Sequence, residues 1–86
     1  MKIVDILRER GQTHGDFTLE SRAVRSIVAE LEALPSWYDL PETTQHAVYM
    51  TVLKFVRAAN GGDPTGDSIA DAIGYLTLAR ARSVAE

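Results

Sequence analysis

Seven side chains in this chain are placed to do chemistry: His14 and Asp16, Lys54 and Arg57, Asp67 and Asp71, and Tyr75 one turn beyond Asp71. Asp67 and Asp71 are four residues apart and so share one face of a helix. Two such carboxylates can hold Mg²⁺, which takes oxygen ligands and leaves positions for substrate phosphates. Lys54 and Arg57 are three apart on another helical stretch, where they can meet phosphate or neutralise the acids. Carboxylates beside a lysine and an arginine are already neutralised, so no metal site is assigned and Mg²⁺ is the lesser alternative to having no cofactor. Zinc has no ligand set, since His14 and His46 are the only histidines and there is no cysteine. The glycines of Gly61-Gly-Asp-Pro-Thr-Gly66 lack the Gly-Lys-Ser/Thr ending of a phosphate loop and read as a turn. Two arrangements fit the cluster: a ligand pocket, or an ion-pair network that fixes helix register. Both require paired charge.

The elements that must position these residues are helical. Ile3, Ile6 and Leu7 share a face over Lys2 to Arg10, and Gly11 stops that helix. It is too short to stand alone and must dock. The loop from Gly11 to Phe17 holds His14, and Asp16 or Thr18 can cap the second helix. Val24, Ile27, Val28, Leu31 and Leu34 form a stripe over that helix from Thr18 to Leu34, which Pro35 ends. Trp37 and Tyr38 then fold over the core as a loop. Asp39 with Glu42 resembles a capping box, with Pro41 in the first turn of a helix reaching Asn60. That helix is apolar nearly all round and reads as central, with one face available to close a dimer and with Thr51, Lys54 and Arg57 as a polar stripe. The last helix begins near Asp67 and runs to Ser83, with Ile69, Ala72, Ile73 and Leu76 as its core face. Gly74 in its middle suggests close approach of another helix, or room for a ligand.

The expected fold is therefore all-α, a single compact domain over 1–86 with four antiparallel helices. At 86 residues the chain buries only roughly 60–65% of its unfolded surface, and so thin a core favours a homodimer. A net charge of −3 gives no nucleic-acid signal, which would need a basic surface. Arg22 with Arg25, and Arg80 with Arg82, read as solvated faces. No stretch is long and apolar enough for a membrane span or a signal peptide, and cysteine is absent, so a cytoplasmic location is expected.

Arg8-Glu-Arg-Gly11, His14-Gly-Asp-Phe17, Lys54-Phe-Val-Arg57, Gly62-Asp-Pro64 and Asp71-Ala-Ile-Gly-Tyr75 together resemble a small phage- and prophage-encoded helical family of unknown function. The match spans about Ile6 to Arg80. More distantly, Ser68-Ile-Ala-Asp71-Ala-Ile-Gly-Tyr75 is similar to the second acidic motif of MazG-like all-α nucleoside triphosphate pyrophosphatases. In those, acids on two facing helices hold Mg²⁺ on the phosphates. Asp71 matches that motif's aspartate, Ser68 replaces its glutamate, and Lys54 and Arg57 stand where the other helix carries acids.

The resemblance with its cationic departures implies a non-catalytic binding module, with a nucleotide or other phosphorylated ligand among Lys54, Arg57, Asp71 and Tyr75. One alternative is a protein inhibitor of a bacterial defence system such as CRISPR–Cas, acting through an acidic face of Glu20, Glu30, Glu32, Asp39 and Glu42. The other is an Mg²⁺-dependent nucleotide pyrophosphatase using Asp67 and Asp71.

Overall fold

The computed structural model describes residues 2–3, 16–63 and 65–85. The helix expected from Lys2 to Arg10 falls almost wholly outside these, as do His14 and its loop. Among the described residues the chain is helical without strands: α1 (Phe17–Glu32), a 3₁₀ turn (Trp37–Asp39), α2 (Glu42–Ala59) and α3 (Asp67–Ala85). Where four helices are expected, three are described.

Local chemistry sets each boundary. Asp16 caps α1, its Oδ1 accepting from the Leu19 amide at 2.9 Å. The helix ends at Glu32, two residues before Leu34, as the approaching Pro35 turns the chain out of helical geometry. The capping box expected from Asp39 and Glu42 does not form. Asp39 lies inside the 3₁₀ turn and Pro41 takes the cap position, where it offers no side-chain acceptor. Gln45 instead reaches back, its Nε2 donating to the Leu40 carbonyl at 3.1 Å. At the other end of α2, Gly61 adopts φ 78° and the Gly62 amide bonds the Arg57 carbonyl at 2.9 Å. This is the six-to-one closure that a left-handed glycine permits. Asp63 then caps α3 from the loop, its Oδ1 accepting from the Ser68 amide at 3.0 Å.

The three helices lie side by side. Tyr49 and Val56 of α2 and its C-cap Asn60 face α1, towards Glu32, Leu19 and the N-cap Asp16. Ala47 and Lys54 face the opposite way, towards Ala79 and Asp71 of α3. The order of these contacts makes α2 antiparallel to both neighbours. α2 and α3 share the most extensive packing, while α1 and α3 scarcely touch. The described helices are thus one layer with α2 in the middle, where a domain ordinarily stacks two layers around its core.

A single layer buries little. The buried apolar residues are Trp37, Ala47, Val52, Val56, Ala72 and Ala79, and no large described side chain is wholly enclosed. α3 packs through the small residues Ser68, Ala72 and Ala79. The core face expected from Ile69, Ala72, Ile73 and Leu76 is therefore corrected. Only Ala72 is buried, and Ile73 is 60% exposed, because the stripe is turned past α2. Of the two readings of Gly74, close approach of a helix is corrected: a Cβ there would meet nothing within 4 Å, so no described helix approaches it. Trp37 is buried as expected, whereas Tyr38 is 69% exposed and does not cover the core.

Candidate functional site

The cations of the polar stripe on α2 are both engaged. Lys54 Nζ lies 3.0 Å from Asp71 Oδ2 across the α2–α3 seam, with the lysine side chain 15% exposed and the carboxylate 48%. Arg57 does not join it. Its Nε donates to Glu20 Oε1 of α1 at 2.7 Å, and the Glu20 side chain is only 7% exposed. The expected pairing of Arg57 with Asp67 or Asp71 is replaced by this bond, because three residues fall about 60° short of a full turn and so rotate Arg57 away from α3 and towards α1.

The other expected members do not converge. Asp67 accepts a hydrogen bond from the Thr65 hydroxyl at 2.6 Å at the start of α3. Asp16 is at the start of α1, where its carbonyl also accepts from Asn60 Nδ2 at 2.9 Å. Tyr75 is half-buried in a groove of about 470 Å³ between the start of α2 and the end of α3, beside Glu42, His46, Leu78 and Arg82. Among the described members of the set, Lys54 and Asp71 are the one pair brought into direct contact. Among the described residues no three acidic or histidine side chains gather as a metal site requires.

The acidic face is also broken up. Glu20 is buried against Arg57, and Glu32 accepts two phenol hydroxyls, leaving Glu30, Asp39 and Glu42 exposed. Arg22 and Arg25 lie on α1 and Arg80 and Arg82 on α3, at opposite edges of the layer, and all four are exposed.

Sequence spacing gave no sign of the arrangement around Glu32. Its Oε1 takes the hydroxyl of Tyr49 and its Oε2 that of Tyr38, both at 3.2 Å. One carboxylate thereby ties α1, the 3₁₀ turn and α2. The Glu32 charge, and then its hydrogen bond, raise the Tyr38 pKa above the usual phenol value. Burial, and then the Glu32 hydrogen bond, raise that of Tyr49. Trp37 packs against Tyr49 with ring centroids 5.5 Å apart at 45°. Its buried indole N–H finds no acceptor with hydrogen-bond geometry among the described residues.

The layer has two unlike sides. Leu19, Ala23 and Ile27 of α1 and Phe55 and Ala59 of α2 line an apolar groove of about 510 Å³ on one. His46, nine residues before Phe55, is half a turn round α2 at about 3.6 residues per turn and lies on the other, with Tyr75, Leu78 and Arg82. On α3, Ile69, Ile73 and Leu76 point away from Leu78 and Arg82 and so fall on the Phe55 side. That side carries apolar side chains on all three helices, with the charges of Glu30 and Arg80 at one end; the opposite side mixes Val24, Leu53 and Leu78 with Arg25, His46 and Arg82.

No family model, curated protein or solved structure matches the chain. No described helix is long and apolar enough to cross a membrane.

Proposed function

We propose that this chain is a non-catalytic helical binding module, with the phage or prophage origin its motifs suggest, and that it works through protein contact on the apolar side of its layer. The observation that carries this is the exposure of large apolar side chains on that face of each helix. Leu19, Ile27, Phe55, Ile69, Ile73 and Leu76 are all exposed, and clustered apolar exposure of this kind supports an interaction site. The charges expected to serve a ligand are instead engaged within the fold, Lys54 by Asp71 and Arg57 by Glu20.

A phosphorylated ligand is the second reading, favoured by the groove where Arg82 and His46 stand exposed beside Tyr75. Such a ligand would have Arg82 for its anion, since Lys54 and Arg57 already hold carboxylates. The pyrophosphatase reading is weaker, because Asp71 binds Lys54 and Asp67 binds Thr65.

Calorimetric titration with nucleoside mono-, di- and triphosphates, with and without Mg²⁺, separates these readings. No heat of binding and no release of pyrophosphate is expected. Binding lost in Arg82→Ala would establish the phosphate site, and Mg²⁺-dependent turnover lost in Asp71→Asn would establish the enzyme. Either result would overturn the proposal.

A further inference from the structure

We propose that the occupant of the apolar side is a second copy of this chain, laid layer against layer about a two-fold axis running along the helices. This rests on the reading of that side as the working surface, and names its partner.

The first argument is completeness. Ile69, Ile73 and Leu76 recur at core spacing on α3, yet each is exposed because the helix uses Ser68, Ala72 and Ala79 to reach α2. The same holds for Leu19 and Ile27 on α1 and Phe55 on α2. A second layer would convert these stripes into a core.

The second argument is size. Helices of 16, 18 and 19 residues are about 24–29 Å long at roughly 1.5 Å per residue. Three of them at about 8–10 Å spacing make a face of roughly 600–800 Å². That matches the roughly 800 Å² each partner contributes to a standard interface.

The third argument is self-complementarity. Along α2 this side presents Val48 and Phe55, seven residues apart and uncharged, so two acidic chains do not repel at the seam. Glu30 on α1 and Arg80 on α3 are exposed at the same end of the layer, since both helices run antiparallel to α2. A two-fold axis parallel to the helices places α1 over α3 of the second copy, so that each Glu30 approaches an Arg80, and places α2 over α2 in parallel. One patch thereby meets itself, as an isologous interface requires.

The test is mass and register in solution. Sedimentation equilibrium of the full chain should give twice the 9.4 kDa chain mass in the micromolar range. Phe55→Asp should weaken association at least about thirtyfold, the loss expected when an aromatic anchor is removed from an interface centre. Leu78→Asp, on the opposite side, should leave it unchanged. The chain has no cysteine, so single cysteines report register even where an aspartate variant fails to fold. Under mild oxidation Val48→Cys and Phe55→Cys should each link to their own counterpart, and Leu78→Cys should not. A wild-type monomer throughout that range would overturn the inference, as would cross-linking through Cys at position 78 alone. Neither result would touch the binding-module reading, which falls only to nucleotide binding or turnover.

Discussion

Two ion pairs of similar length should differ widely in their energetic weight. Lys54–Asp71 has a half-exposed carboxylate, and exposed pairs contribute about 0–1 kcal/mol. Asp71→Asn should therefore change unfolding free energy by less than about 1 kcal/mol in a urea titration. Arg57–Glu20 is nearly enclosed, and removing one partner of a buried pair costs roughly 3–5 kcal/mol because the other charge is stranded. Arg57→Met should approach that loss, and the double variant Glu20→Leu/Arg57→Met should recover most of it. The Glu32 clamp makes a prediction in pH. Tyr38 and Tyr49 have pKa values raised above 10.0, so the fold keeps phenolic protons that the unfolded chain releases. Their stabilisation is complete below pH 10 and declines as pH rises through the folded values. Glu32→Gln should bring tyrosinate absorbance to lower pH and make the alkaline loss of stability shallower. Lys54 and Asp71 were legible in the sequence because helix spacing orders charges along one element. Glu20 read as solvent-facing and Glu32 stayed hidden, since neither spacing nor composition says which way an acid on α1 turns relative to partners 37 and 17 residues on.

Helix boundaries were legible wherever the signal was local. Asp16 caps α1, and Gly61 and Gly62 end α2 as their residue types demand. Asp39 with Glu42 misled because a capping box needs its acceptor at the cap itself, which Pro41 occupies. Gly74 misled for the opposite reason, since an internal glycine is silent about its neighbours. With open space around its Cβ position, Gly74→Ala should raise stability by about 1 kcal/mol, the helix-propensity difference alone. Thermal melts at fixed protein concentration would measure it. Asp63→Ala should act in the other direction, by roughly 0.5–2 kcal/mol, through loss of the bond to the Ser68 amide.

At the scale of the whole molecule, the apolar periodicity of α3 was legible, but the core face read from it was not the one used, since the described helices leave Ile69, Ile73 and Leu76 uncovered. Periodicity reports that a stripe must be covered and is silent about what covers it. If a second copy does so, folding and association are one equilibrium. The melting temperature should then rise with protein concentration in the wild type and become independent of it in Phe55→Asp. The middle position of α2 carries a different consequence. Because α1 and α3 each lean on α2 and scarcely on one another, the described helices of one chain are linked like beads in a row, each sensing only its neighbour within that chain. Damage at one edge need not reach the other. The amides of α1 should exchange with deuterium through a local opening that leaves the α2–α3 hairpin closed, so the chain should come apart from its α1 edge inward.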